Sequence, residues 1–244
     1  MGCRSNYTKY KMSIFKFKRF EVDQTGCAMK INTDGVLLGA IASHDEPKLA
    51  LDIGTGTGVI AMMLAQRYPQ LFVQAVEIDA QAAETAKKNF EGSEFSQRLT
   101  VVPINIEQFE TNEKFDLIVS NPPFFINDLK NEDLRKGIAR HADEAFFEML
   151  VLKATTLLAD KGQIWLILPV KQATEVIDLA SGFQLRLISR INLHSDNQKP
   201  TFRQIICLGR EDATFTETDF NIYESLKVHS AAYKLLLKDF FLAF

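Results

Sequence analysis

The sequence is poor in the residues that usually announce a function. Three cysteines (Cys3, Cys27, Cys207) are spread over 244 residues with no C-x-x-C pair. So sparse and odd a count excludes a disulfide framework and a cysteine-based zinc site, and it fits a reducing cytoplasm. Four histidines lie far apart and make no metal-ligand spacing, so no metal is expected. No apolar run approaches the roughly 18 residues of a membrane span. The longest, Ile164–Val170, contains Pro169 and reads as a buried strand. The N-terminal MGCRSNYTKYKMS has no apolar stretch and is not expected to be a secretory signal. Internal repeats, low-complexity tracts and Pro/Gly-rich linkers are absent as well.

Net charge of either sign is small. The net is −3, which excludes a protein that coats nucleic acid indiscriminately. The average hides a split. Residues 1–30 carry seven basic and two acidic residues, a net of +5, and the other 214 therefore carry −8. Hydrophobic residues make up 46% of the chain, enough for a folded core.

What is present is an alternating rhythm. Residues 14–32 read IFKFKRFEVDQ and then CAMKIN around Thr25-Gly26, the pattern of a short amphipathic hairpin. Thr33-Asp34-Gly35 precedes VLLGAIA as a helix start. LALDI, LFVQAVEI, LTVVPI, FDLIVS and GQIWLILP then read as strands. VIAMMLAQRY, AQAAETAKKNFEG, residues 142–159 and KQATEVIDLAS read as helices between or after them. Such alternation predicts βαβ units and a parallel sheet. FQLRLISRINL and FRQIICLGR are joined only by the polar HSDNQKP, which predicts an antiparallel pair at the sheet edge. The tail VHSAAYKLLLKDFFLAF reads as a C-terminal helix.

The first strand ends in Asp52-Ile53-Gly54-Thr55-Gly56-Thr57-Gly58. Glycines there admit positive φ and let the backbone approach a ligand closely. The dinucleotide fingerprint is not met, because Val59 stands where its third small residue belongs. Asp52 would repel a pyrophosphate and attract the cationic end of an amino-acid-like ligand. The second strand ends in Glu77-Ile78-Asp79, where a carboxylate can accept both hydroxyls of a ribose. Asn105-Ile106 follows the third strand, placed to touch an adenine. D-x-G-x-G-x-G followed by E-x-D resembles the class I S-adenosylmethionine-dependent methyltransferases over roughly residues 34–210. The resemblance implies a Rossmann-like α/β fold: a mostly parallel seven-stranded sheet with an antiparallel edge strand and helices on both faces. It also implies S-adenosylmethionine as cofactor, held by Asp52, Gly54, Gly56, Gly58, Glu77, Asn105 and Ile106. Many members have Asp where this chain has the uncharged Asn105.

Asn121-Pro122-Pro123-Phe124 closes the fourth strand, at the edge where open α/β sheets bind ligands. The two prolines stiffen the turn. An exocyclic amine is a poor nucleophile because its lone pair is delocalised. The Asn121 side-chain oxygen and the Pro122 carbonyl can each accept one N–H and favour a pyramidal nitrogen, and Phe124 offers a face for stacking. N-P-P-F resembles the amino-methyltransferases of adenine, guanine and protein glutamine. The tetrapeptide leaves rRNA guanine, DNA adenine, tRNA adenine and protein glutamine open.

Phe15-Lys16-Phe17-Lys18-Arg19-Phe20 interleaves aromatics with cations, a pattern suited to stacking on and neutralising single-stranded nucleic acid. An edge hairpin with its lysines outward is the competing reading. Together with T-D-G-V-L-L-G-A (residues 33–40), N-P-P-F and Y-x-x-L-x-K-D-F near the C-terminus, this segment is similar to the bacterial tRNA adenine-N(6) methyltransferase family. That family modifies the adenine beside the anticodon of a valine tRNA. The likeness runs from about Ile14 to the end. It implies a cytoplasmic, monomeric enzyme with tRNA as partner and no membrane or metal. The implied organisation is a basic extension and hairpin over residues 1–33 and a methyltransferase domain with a C-terminal helix over 34–244. Candidate RNA contacts are Lys16, Lys18 and Arg19 in the hairpin and Arg135, Lys136 and Arg140 beyond Phe124. Lys199, Arg203 and Arg210 are weaker ones, and His44, His194 and His229 are expected to be structural.

Overall fold

The computed structural model describes the backbone of residues 13–25, 27, 30–123 and 134–244, and the side chains of all of these except 134–143. The chain opens with a small hairpin, β1 (Ile14–Lys16) and β2 (Glu21–Asp23), then α1 (Thr33–Ile41). The alternating core follows as β3 (Leu49–Ile53), α2 (Val59–Arg67), β4 (Phe72–Glu77), α3 (Ala80–Glu91), β5 (Leu99–Pro103) and β6 (Phe115–Ser120). It continues through α4 (Leu134–Leu157), β7 (Leu158–Leu168), α5 (Val170–Gly182), β8 (Arg186–His194) and β9 (Thr201–Gly209). Last come β10 (Thr216–Asn221), the paired β11 (Tyr223–Ser225) and β12 (Val228–His229), and α6 (Ala231–Leu237).

The central sheet has eight strands in the order β10-β8-β9-β7-β6-β3-β4-β5. All run parallel except β9, which is antiparallel to both β7 and β8. The expected antiparallel pair is therefore present, but β9 is an interior strand. The edge is an eighth, unexpected strand, β10, parallel to β8. The crossovers bury both faces of the sheet, and strand side chains alternate strictly between them. Trp165, Ile167, Ile205 and Cys207 join α1, α2 and α6 in one core; Ile164, Leu166, Leu168, Ile206 and Leu208 join α4 and α5 in the other. Each fully buried aliphatic side chain contributes about 1.5–3 kcal/mol relative to exposure.

Three other expectations are corrected. The hairpin turns at Phe17–Phe20, where the Phe17 N–H bonds the Phe20 carbonyl at 2.9 Å, and not at Thr25-Gly26. Helix α4 starts at Leu134. The C-terminal helix is only Ala231–Leu237, preceded by the β11–β12 pair. Among the described residues, no helix is long and apolar enough to cross a membrane.

Candidate active site

The strand register assembles the site. Ile53, the last residue of β3, stands opposite Val76 of β4 on one side and Ser120 of β6 on the other. Gly54 and Asn121 therefore leave the sheet on neighbouring strands, about 4.8 Å apart in the pairing direction. Glu77, at the end of β4, stands opposite Pro103 of β5, two residues before Asn105. The Ser120 hydroxyl donates to the Ile53 carbonyl at 2.8 Å and ties the two strand ends together beneath the site.

The glycine loop is held by bonds that the motif alone did not reveal. The N–H groups of Gly54 and Thr55 both donate to the Val76 carbonyl, at 2.9 and 3.2 Å. Glu77 is buried and accepts from the Gly56 N–H at 2.8 Å through one oxygen and from the Asp79 N–H at 2.9 Å through the other. It orders the loop while its remaining lone pairs stay open for hydroxyl donors. Asp79 itself caps α3 by accepting from Gln81 and Ala82.

The three glycines answer to different demands. All have positive φ: 72° at Gly54, 58° at Gly56 and 87° at Gly58. A Cβ at Gly54 or Gly56 would meet nothing within 4 Å, so these positions face open space and form a cradle. A Cβ at Gly58 would lie 2.4 Å from Cε1 of Phe90. Gly58 serves packing of the loop on α3, as well as the turn that opens α2.

Asp52 is completely buried. Its Oδ2 accepts the Thr55 hydroxyl at 2.6 Å, and its Oδ1 has no partner. Burial pushes its pKa up to about 7; bonds from Thr55 and the Ala61 backbone pull the other way, and Glu77 adds a small push upward. The Asn105 oxygen accepts the Glu107 N–H at 3.1 Å, which closes a short turn and buries Ile106. Asn121 is half-buried and Pro122 buried. Phe124 lies outside the described residues, as do the side chains of Arg135, Lys136 and Arg140.

The basic hairpin is more engaged than its sequence suggests. Lys16 pairs with Glu21 at 2.7 Å, and Arg19 grips Glu94 with two bonds at 2.8 and 2.9 Å. The Lys18 ammonium donates to the carbonyls of Lys238 and Phe244. Phe17 and Phe20 stack on each other at 4.4 Å and are buried, so they are not free for bases; Phe15 keeps 36% of its surface. Arg210 bonds the carbonyls of Thr155, Leu158 and Ala159. His44 and His194 lie against the carbonyls of Lys161 and Lys199, and His229 stacks between Tyr223 and Tyr233. A cleft of about 720 Å³ between residues 195–199 and β11–β12 opens at the same sheet edge. It sits at β8, three strands (about 14 Å) from β6, and is separate from the glycine loop.

Comparison with known proteins settles the family. The model of the Methyltransferase small domain matches residues 32–189. A Pedobacter heparinus protein named tRNA1(Val) (adenine(37)-N6)-methyltransferase is 53% identical over 230 residues, covering 94% of this chain and 98% of its own. This chain belongs to that methyltransferase family. A Porphyromonas gingivalis relative of the same name is 46% identical over 181 residues, 70% of this chain and 71% of its own. Among solved structures, a predicted O-methyltransferase from Agrobacterium tumefaciens aligns with a TM-score of 0.66 at 18% identity, covering 85% of this chain and 96% of that one. At that identity the likeness concerns the fold: the Rossmann-like methyltransferase architecture is shared. Membership makes the chain an S-adenosylmethionine-dependent N-methyltransferase, as its motifs imply.

Proposed function

We propose that this chain transfers a methyl group from S-adenosylmethionine to the exocyclic amine of adenine 37 in tRNA1(Val). The names of its relatives support the substrate. The observation that carries the chemistry is the register that sets Gly54 beside Asn121, so that a cofactor cradle and an amine acceptor share one edge.

The residues present fit the cofactor. Gly54 and Gly56 leave an open cradle, and Glu77 keeps lone pairs for ribose hydroxyls. Asn105 and Ile106 would border the adenine. The unpartnered Oδ1 of Asp52 favours a cationic methionine end through the field of its carboxylate. The bound cofactor supplies an electrophilic methyl on a sulfonium, and no metal is needed for its transfer.

The chain's part is to hold the amine. The Asn121 oxygen and the Pro122 carbonyl accept its two N–H groups, which draws the nitrogen out of conjugation and points its lone pair along the transfer line. Phe124 supplies a stacking face for the base. Positioning and oriented dipoles account for the rate. Lys16 and Arg19 meet the RNA by exchanging carboxylates for phosphates. Both present pairs are exposed; the single Lys16–Glu21 contact is worth about 0–1 kcal/mol, and the two-bond Arg19–Glu94 pair is the firmer of the two.

Asn121→Ala is expected to lower methyl transfer about 10²–10³-fold, by analogy with loss of one oriented polar group. Cofactor affinity, measured by calorimetry, should stay within a few-fold. Retained transfer with lost cofactor binding would contradict the assignment.

A further inference from the structure

We infer that the first turn of α1, Asn32–Gly35, positions the Asn121 amide, and that the Asp34–Arg203 ion pair holds that turn in place. The inference rests on the reading of Asn121 as acceptor of the adenine amine.

A Cβ built on Gly35 would lie 3.7 Å from Nδ2 of Asn121 and 3.5 Å from Oδ1 of Asn32. Gly35 is therefore the floor beside the amide, and Nδ2 is the Asn121 atom nearest to it. A nitrogen end turned toward α1 leaves the oxygen end for the substrate. That orientation matters, because a flipped amide would set N–H donors against the N–H donors of the amine. Asn32 borders the same space: its Oδ1 caps α1 by accepting the Gly35 N–H at 2.8 Å, and a Cβ on Gly35 would lie between that oxygen and the Asn121 Nδ2.

The turn is anchored from a distance. Arg203 Nε donates to Asp34 Oδ2 at 3.0 Å, across 169 positions of sequence. The side chains are 23% and 15% exposed, so the pair is largely shielded from water. Arg203 sits on β9, an interior strand, opposite Leu193 of β8 and one residue before the β7–β9 pairing begins at Gln204. The ion pair thereby references the α1 turn, and with it the Asn121 amide, to the middle of the sheet. None of Asn32, Asp34 or Gly35 is given contact with the reacting atoms; they are positioning residues. A displacement near 1 Å at a reacting group can cost about 10²-fold in rate.

The test is a graded series at position 35 (Ala, Val, Leu) with Asp34→Asn and the reversed pair Asp34→Arg/Arg203→Asp. Each is measured for kcat on tRNA, cofactor Kd and Tm. We expect kcat to fall in order of side-chain size at position 35, by about tenfold or more at Leu, while cofactor Kd changes by less than about threefold. Asp34→Asn should lower kcat similarly, and the reversed pair should recover most of that loss. Unchanged kcat in Gly35→Leu and Asp34→Asn would overturn the inference, as would a fall in kcat matched by weaker cofactor binding. Should Gly35→Leu not fold, Asp34→Asn and the reversed pair decide alone. Full activity of Asn121→Ala would instead overturn the reading beneath it, so the two failures are told apart.

Discussion

Asp52 shows how burial turns one carboxyl into a pH-sensitive element. Its pKa of about 7 in the folded chain stands against an ordinary 3.8. Between those values the folded state holds a proton that the unfolded state has released. The stability from this group is complete below pH 4 and is lost as pH rises through about 7. Urea unfolding of the cofactor-free protein should therefore lose stability from pH 5 to pH 8 more steeply in the wild type than in Asp52→Asn; equal slopes would count against this. A cationic ligand favours the carboxylate, so cofactor affinity should rise through pH 7 in the wild type and stay flat in the variant. The glycines give a second contrast. Gly58→Ala must push against Phe90 and should cost about 1–3 kcal/mol of stability. Gly54→Ala carries the same positive-φ strain but meets no neighbour, so it should lose less stability than Gly58→Ala and also weaken cofactor binding. Similar Tm losses in both would contradict the split.

At the scale of elements, the hairpin is a structural clasp with a basic outer side. Phe15, Phe17 and Phe241 cluster with ring centroids 4.9–5.8 Å apart, and Lys18 closes the clasp onto the C-terminal carbonyls. Phe17→Ala should cost about 3–5 kcal/mol, read as a drop in urea midpoint. Lys16→Ala with Arg19→Ala should leave Tm within a few degrees and weaken tRNA binding; unchanged binding would assign this face to stability alone. Elements with strong apolar patterns are legible in the sequence: β3 through β9 and the helices between them follow the expected order, with α4 and β7 each starting earlier than their apolar runs suggest. Those without such patterns are not. The β10 strand, Thr216–Asn221, is mostly exposed and pairs on one side only, so TETDFN carries no period to read. The hairpin turn was misplaced because Thr25-Gly26 has turn chemistry, whereas Phe17–Phe20 has bulky rings and turns only because those rings are buried.

For the whole molecule, the charge split acquires a place. Within the described part of the positive N-terminal segment, Lys18 is engaged by the C-terminal carbonyls and Arg19 by Glu94. The acidic balance prevents general adhesion to nucleic acid and leaves local contacts to recruit tRNA. Each phosphate neutralised adds about 0.9 to the salt slope for duplexes and about 0.7 for single strands. The six candidate contacts predict a slope of about 4–5, whereas a slope near 10 would require a larger interface. The candidate site was legible as residues: Asp52, Gly54, Gly56, Glu77 and Asn121 converge on one edge as their motifs imply. The parts that hold them were not. Ser120 binding Ile53, Glu77 binding Gly56, and Gly35 beside Asn121 are long-range contacts with no short motif.

The central claim is the identity of the methylated atom. Purified enzyme, labelled S-adenosylmethionine and equal amounts of tRNA, rRNA, DNA and ribosomal protein should be incubated in parallel, and the product digested and mapped by mass spectrometry. The account predicts label in tRNA as N6-methyladenosine at position 37 of tRNA1(Val), reduced about 10²–10³-fold in Asn121→Ala. Label in rRNA guanine, DNA adenine or protein glutamine, with tRNA unmodified, would contradict it.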